Sequence, residues 1–297
     1  MPKKNNSYIF AAFCLISIVF ILWLISIDTA QFYPEKLHVT NNTHSIEIKT
    51  TRELINIFNE QNYSLSSENK ETSDFFLSAI PPDFKNIKDI KKKKSIFIRL
   101  MIPLIIAEQK NIRQKRVIAQ IILKDVKQLT QPDSIAWFNR ATKEYKINSK
   151  QSFLEQKNEL MKRLDELPLT LILAQAAIES AWGTSRFAIE GNSLFGQWTF
   201  SGKNGLTPKN RSKGKTHQIK AFPSLQASIR SYLKNINRNN AYKELRDDRK
   251  RMRLKNEKLN AYKLAEGLHR YSQKGTEYVK IIHRLLNTSE FKALEHI

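Results

Sequence analysis

Two large polar side chains interrupt an otherwise apolar segment, PLTLILAQAAIESAW, at residues 168–182. Gln175 and Glu179 are four residues apart, so a helix would place both on one stripe. The segment contains no basic residue that could pair with Glu179, and burial would therefore raise the pKa of its carboxyl group. Such a carboxyl can protonate a glycosidic oxygen near neutral pH. The alternative is that Glu179 is a structural acid, satisfied by a backbone donor or an arginine.

The residues around Glu179 predict the elements that position it. The segment is apolar on nearly every face, which is typical of a helix in the centre of a domain, with Pro168 in its first turn and Gly183 at its end. The later segments GNSLFGQWTF and KTHQIKAF predict a small β-hairpin around a loop rich in Gly and Lys. Apolar residues at helical spacing predict further helices near 225–236, 259–268 and 278–286.

Residues 84–165 predict a helical lead-in with no catalytic constellation. Apolar residues recur at helical spacing from 87 to 105 and, beyond a break, from 112 to 129, and a third amphipathic stretch covers 135–145. The apolar run at 96–106 is too short to span a bilayer and contains Arg99 and Pro103, so it predicts a buried helix.

The N-terminal region predicts a membrane anchor followed by a linker. Residues 8–27 read YIFAAFCLISIVFILWLISI, an uncharged segment about as long as a bilayer-spanning helix. Lysines precede it and acids follow it, which predicts a cytoplasmic tail at 1–7 and the remaining chain outside. No good cleavage site follows, so we expect an uncleaved anchor in the inner membrane. Residues 28–80 are polar and predict a linker, with a short strand at 44–49 and a helix at 51–59.

Composition limits the partners and the chemistry. The formal net charge of +22 favours polyanions: nucleic acid, an anionic membrane face or an acidic wall polymer. No nucleic-acid motif is present and the anchor directs the chain out of the cytoplasm, so we expect no nucleic-acid partner. The single cysteine, Cys14, lies in the apolar segment, which excludes a disulfide, a cysteine zinc site and a thiol nucleophile elsewhere. The six histidines show no metal-ligand spacing. We therefore expect no metal and no cofactor, and the oligomeric state stays open.

The segment AQAAIESAWGTSRFAIEGNSLFGQW resembles the endo-β-N-acetylglucosaminidase domain of peptidoglycan hydrolases, whose motifs read AQAALESGWG and NNLFG. The segments AFPSLQASIRSYLKNIN and LHRYSQKGTEYVKIIHRLL resemble later parts of that domain. PPDFKNIKDIKKKKSIFIRLMIPLI resembles the lead-in of its Bax-like subgroup. The resemblance covers about residues 80–290. It divides the exported part into a lead-in at 81–165 and a glucosaminidase domain at 166–290.

This resemblance implies a lysozyme-like fold, mainly α with a small β-hairpin (α+β), that binds peptidoglycan glycan strands. The family's proton donor corresponds to Glu179, and its tyrosine near the catalytic site corresponds to Tyr271. The predicted substrate-binding residues are Gln175, Trp182, Asn192, Phe195, Gln197, Trp198 and Gln218. Core packing is the alternative for the aromatic residues, and shaping of a turn is the alternative for Asn192.

The chain departs from the family pattern in its hairpin. Many members place a second carboxylate there, but no acid occurs between Glu190 and Glu244, and Gln218 is neutral where we would expect one. Glu190 could swing into the cleft. The N-acetyl group of the substrate could attack instead, with Tyr271 steadying the charge, and this is the account we favour. The third account is a lytic transglycosylase, in which the muramyl 6-hydroxyl is the nucleophile.

A rival of another class is a non-catalytic wall-binding anchor protein. In that case the groove would bind glycan and the basic loop at 203–215 would grip acidic stems. Glu179 argues against it, because binding has no use for an acid that is costly to bury.

Overall fold

The structure is a computed structural model that describes residues 45–64, 76–124, 128–199, 205–208 and 218–296. The predicted cytoplasmic tail, the predicted anchor at 8–27 and most of the basic loop at 203–215 lie outside these residues. Within the described ranges, no helix has both the length and the apolar character needed to cross a bilayer.

The described chain is mainly helical and carries one small antiparallel sheet. The helices are α1 (Thr51–Glu60), α2 (Ile90–Lys124), α3 (Pro132–Glu144), α4 (Phe153–Arg163), α5 (Leu169–Glu179), α6 (Arg186–Gly191), α7 (Leu225–Arg238), α8 (Lys243–Leu254), α9 (Ala261–Glu266), α10 (Thr276–Leu286) and α11 (Ser289–Lys292). The first two strands, β1 (Ser45–Ile46) and β2 (Phe76–Leu77), pair in parallel.

The antiparallel sheet contains β3 (Trp198–Thr199), β4 (Gly205–Leu206) and β5 (Gln218–Lys220), in the order β3-β5-β4. Trp198 pairs with Ile219, and Leu206 pairs with the same residue from the other side. The prediction of a mainly α protein with a small β-hairpin is confirmed, and β4 extends the hairpin by a third strand.

Helix α5 lies at the centre of the core, as its sequence predicts. Nearly all of its residues are buried, and it packs against α2, α9 and α10. Its apolar residues face neighbours on every side, so this one helix connects the lead-in to the C-terminal helices. The buried residues of both parts form a single cluster.

The predicted break between residues 105 and 112 is wrong, because α2 is one helix of 35 residues, roughly 50 Å long. Two polar residues at the predicted break, Glu108 and Gln109, are buried and satisfied by partners. Glu108 forms a salt bridge with Arg230 of α7 at 2.7 Å. The Gln109 amide donates to the Leu167 carbonyl and accepts from the Leu167 N–H. These polar contacts replace apolar ones and allow the helix to continue.

The described part of the predicted linker packs on the lead-in. Helix α1 buries Leu54 and Phe58 completely, and the Arg99 guanidinium lies 4.2 Å from the centre of the Phe58 ring. The Asp83 carboxylate accepts hydrogen bonds from the Thr51 N–H and hydroxyl, both at 2.8 Å. Residues 45–64 and 76–80 are therefore part of the folded unit.

A buried ionic cluster joins the chain before α5 to α8. Burial would raise the pKa of Asp165, but the charges of Arg249, Arg253 and Arg116 outweigh it and hold this pKa below its usual range. Arg253 approaches the carboxylate to 3.0 Å. The Arg249 side chain is fully buried and donates to four backbone carbonyls of residues 162–166. This cluster fixes the segment from which α5 begins.

Candidate active site

Glu179 is the last residue of α5, and its side chain is half-buried. Burial raises the pKa of its carboxyl group, while a hydrogen bond from Tyr278 and the positive charge of Lys274 oppose the rise. The neighbours that affect this pKa are therefore a phenol and a lysine rather than an arginine. A half-buried carboxyl with a raised pKa can hold a proton and can still be reached from solvent.

The turn after Glu179 has an unusual backbone. Ala181, Trp182 and Gly183 have consecutive positive φ angles of 51°, 57° and 78°. The buried Ser180 hydroxyl holds this turn, because it accepts from the Gly183 N–H at 2.8 Å and donates to the Ala176 carbonyl at 2.6 Å. Ser180 is thus a structural residue, and the chain reverses directly beside the acid.

The lead-in packs against this turn. The Trp182 ring meets Phe97 of α2 edge to face at 5.9 Å and Phe291 of α11 at 6.3 Å, and the Lys94 ammonium lies 4.9 Å from its centre. A Cβ at Gly183 would come within 2.9 Å of Phe97. Trp182, which we expected along the cleft, therefore packs between the lead-in and α11. The sequence left the function of residues 84–165 open, and the structure shows that Phe97 and Lys94 in this region pack against the turn that follows Glu179.

The NSLFG segment lies over the Glu179 carboxylate. Gly196 has a φ of +60°, and a Cβ built on it would lie 3.5 Å from Glu179 Oε2. Asn192 adopts the left-handed conformation, with φ 51°, and its amide donates to the Phe222 carbonyl at 3.1 Å. Asn192 thus shapes the turn, which was the alternative to a substrate-binding role for this residue. Apart from its chain neighbours, the Cβ built on Gly196 would have no heavy atom other than Oε2 within 4 Å, so the backbone of Gly196 lies directly beside the carboxylate.

Four tyrosines surround the acid, and the sequence singled out only one of them. The Tyr271 ring stacks on Tyr278 at 5.5 Å and lies 6.3 Å from Tyr232 and 6.0 Å from Tyr242. Burial raises the pKa of all four phenols, and the nearby charge of Glu179 adds to each rise. They are neutral hydrogen-bonding groups at physiological pH. Tyr232 and Tyr278 lie on the apolar faces of α7 and α10, where the pattern indicates only core packing.

Tyr271 and Phe195 are joined in one contact. The Tyr271 hydroxyl donates to the Phe195 carbonyl at 2.9 Å, which ties the segment before α10 to the NSLFG turn. The Phe195 side chain is buried and stacks on Tyr232 at 4.0 Å. Phe195 therefore faces the core. The prediction that Tyr271 steadies charge in the reaction stays a prediction.

The sheet presents the remaining predicted residues. Trp198 on β3 has 55% of its surface exposed, so of the three aromatic residues predicted for the cleft it is the one that solvent reaches freely. Gln218 on β5 donates to the Thr207 hydroxyl at 3.2 Å, and Gln197 donates to the Ser231 carbonyl at 3.3 Å. Gln175 is fully buried among tyrosines, so it cannot touch a glycan in this conformation.

Comparisons with known proteins found one family model and one curated relative. Residues 154–290 match the Glucosaminidase family model, described as mannosyl-glycoprotein endo-beta-N-acetylglucosaminidase. The chain is also 29% identical over 217 residues to Protein bax of Escherichia coli (strain K12), a match that covers 72% of this chain and 76% of that protein. Residues 154–290 thus form a glucosaminidase-family domain, and the chain is similar to Protein bax over most of its length. The predicted resemblance to a Bax-like glucosaminidase is confirmed. No solved structure matches the chain.

The glucosaminidase domain carries no second acid on its hairpin, and the structure does not place Glu190 in that role. Glu190 is exposed at the end of α6, and its carboxylate pairs with Arg186 at 3.0 Å. An acid held on the surface by an arginine is unsuited to act across a sugar from Glu179. Within the described ranges, no three side chains of the metal-ligating types lie together.

Proposed function

We propose that this chain cleaves the glycan strands of peptidoglycan as an endo-β-N-acetylglucosaminidase, with Glu179 as its general acid. Family membership supports a hydrolase-type function that acts on peptidoglycan. The observation that carries the proposal is the environment of Glu179. Its pKa is raised by burial at the end of an apolar helix, and Gly196, which has no side chain, lies beside Oε2.

Cleavage begins when Glu179 gives its proton to the glycosidic oxygen as the bond from that oxygen to the anomeric carbon breaks. The carbonyl oxygen of the substrate's N-acetyl group bonds to the anomeric carbon and forms a cyclic oxazolinium ion. Water then bonds to that carbon as the bond from the carbon to the N-acetyl oxygen breaks, which regenerates the acetamide, and the water gives a proton to the Glu179 carboxylate, which restores the acid. This course needs one carboxyl group, in agreement with a hairpin that lacks an acid.

The exposed face of Trp198 supports a glycan-binding role for the sheet, because aromatic rings pack well on the apolar faces of sugars. The net charge of +22 favours a polyanionic wall polymer. We further propose that residues 8–27 anchor the chain in the inner membrane by a single pass, with the glucosaminidase domain on the extracytoplasmic side. Extraction of the full chain from membranes by detergent but not by alkaline carbonate would support this anchor.

The full chain, purified in detergent, should be incubated with purified sacculi beside Glu179→Gln and the matched control Glu190→Gln. We expect Glu179→Gln to lose about 10²–10⁴-fold in rate, the usual contribution of a general acid. Glu190→Gln should retain wild-type activity, since that acid is exposed and paired with Arg186. Near-wild-type cleavage by Glu179→Gln would refute the assignment.

Mass spectrometry of the released fragments separates the remaining accounts. Products with reducing N-acetylglucosamine ends support the glucosaminidase. Anhydro-muramyl ends would identify a lytic transglycosylase instead, an alternative that the neutral Gln218 also permits. Binding of sacculi without any released fragment would identify a non-catalytic wall-binding protein.

A further inference from the structure

Gln175 is a fully buried amide in the centre of the apolar helix α5. An amide in such a place is costly unless both of its ends are hydrogen-bonded. Its oxygen accepts from the Tyr232 hydroxyl, and its nitrogen donates to the Tyr278 hydroxyl at 3.1 Å. Gln175 therefore links two phenols on different helices, α7 and α10, one turn before Glu179.

These bonds have a direction. A phenol has one proton to donate, and Tyr232 gives its proton to the Gln175 oxygen. The Gln175 nitrogen must then face Tyr278, whose oxygen accepts from it. The Tyr278 proton is therefore not used by Gln175 and can point towards the Glu179 carboxyl, whose pKa the Tyr278 hydroxyl lowers. Tyr278 is buried and stacked on Tyr271, so its hydroxyl has little freedom to move elsewhere.

We propose that Gln175 is a positioning residue that orients the Tyr278 hydroxyl so that its proton points at the Glu179 carboxylate. The inference rests on the proposed function in one respect, since it takes Glu179 to be the acid of the reaction. Gln175 acts through Tyr278 and does not touch substrate. If the amide rotated by half a turn, its oxygen would face Tyr278 and accept the proton that Glu179 now receives.

The donor-to-acceptor direction of these hydrogen bonds affects the pKa of Glu179. The charged and titratable groups that act on it are the Tyr278 hydroxyl, the Lys274 ammonium and the phenols of Tyr232, Tyr242 and Tyr271. The phenols are neutral near pH 7, so the Tyr278 hydrogen bond and Lys274 stabilise the carboxylate against burial. Loss of the Tyr278 bond should therefore raise the pKa of Glu179.

The test is to measure the pKa of Glu179 directly, by carbon-13 NMR of the side-chain carboxyl in the full chain, with Glu179→Gln to assign the resonance. Tyr278→Phe should raise the titration midpoint by about one pH unit, as expected for a lost hydrogen bond to a charged group. Gln175→Met and Tyr232→Phe should raise it too, although neither side chain bonds to Glu179. The alkaline limb of the pH–rate profile should move in the same direction.

Tyr242→Phe is the matched control. Tyr242 belongs to the same tyrosine cluster, but its hydroxyl bonds to Asn235 and not to Gln175. It should leave the midpoint unchanged. An unchanged midpoint in folded Tyr232→Phe and Gln175→Met would overturn the proposal. If Gln175→Met does not fold, Tyr232→Phe decides, because it removes one oxygen and keeps the ring.

The midpoints are measured without substrate, so they separate the two proposals. Shifted midpoints in a chain that cuts no glycan would refute the proposed function and keep the orientation of Tyr278. Unchanged midpoints in a chain that does cut glycan would refute the orientation of Tyr278 by Gln175 and leave the proposed function standing.

Discussion

Removal of the Ser180 hydroxyl tests whether the turn beside the acid is held as described. Ser180→Ala deletes the acceptor of the Gly183 N–H and leaves that group buried without a partner. The Ala176 carbonyl keeps a donor, since it also accepts from the Ser180 N–H at 3.0 Å. The change therefore orphans one buried backbone donor and little else.

The expected loss follows from that one group. A buried donor left unsatisfied costs about 1–3 kcal/mol, so we expect the free energy of unfolding to fall by roughly 2 kcal/mol. In a domain of this size such a loss lowers Tm by about 4–8 °C. Activity should fall as well, because three consecutive residues with positive φ follow Glu179 and relax once this bond is gone.

Urea unfolding of the full chain, followed by circular dichroism, measures the change in stability. The control is Thr184→Ala, in the same turn, whose hydroxyl donates to the Ala181 carbonyl at 2.7 Å where water can replace it. We expect Thr184→Ala to change the free energy of unfolding by less than about 0.5 kcal/mol. Equal effects of the two variants would refute the reasoning, since burial would then not distinguish the hydroxyls.

Three further predictions concern the same framework. Burial raises the pKa of Glu179 in the folded chain, so its carboxylate destabilises the fold as pH rises through that pKa. Glu179→Gln should raise Tm relative to wild type at pH 8 and lose this gain at pH 4, as measured by thermal scans. Asp165→Asn should lower the free energy of unfolding by about 3–5 kcal/mol at pH 7, because it leaves Arg249 buried without its counter-charge. Since the pKa of Asp165 is lowered in the folded chain, the difference in unfolding free energy between wild type and variant, measured by urea titrations, should shrink as pH falls through that pKa. Phe97→Ala should cost about 3–5 kcal/mol in urea unfolding and shift tryptophan fluorescence to the red as Trp182 becomes exposed; an unshifted spectrum would contradict the packing.

The sequence predicted the parts of the fold that depend on local pattern. Helix α5 and the paired segments of the hairpin follow from apolar periodicity and turn residues, and the position of Glu179 follows from α5. The continuity of α2 could not be predicted. It depends on partners far away in sequence, Arg230 for Glu108 and the Leu167 backbone for Gln109.

The site was predicted only where one residue type is unusual for its surroundings. An acid in an apolar helix is conspicuous, whereas a tyrosine on an apolar helix face is not, so Tyr232 and Tyr278 were missed. The part played by Trp182 also depended on tertiary packing, since an aromatic residue beside a catalytic acid can face either a sugar or the core. Here the Phe97 and Phe291 rings pack against it edge to face.

Two residues of α2, Phe97 and Gln109, limit which deletions within that helix the fold can tolerate. Phe97 contacts Trp182, three residues after the end of α5, and Gln109 bonds Leu167, two residues before its start, so α2 runs antiparallel to α5 and contacts the chain at both of its ends. Twelve steps of helix separate the anchors, about 18 Å, against about 16 Å for the eleven residues of α5. Deletion of a single residue between the anchors would turn one of them by about 100° and shorten the span by about 1.5 Å. The register of α2 therefore fixes the position of α5, the helix that ends in Glu179. A fragment that begins at residue 154, where the family match starts, would lack α2 and lose this constraint.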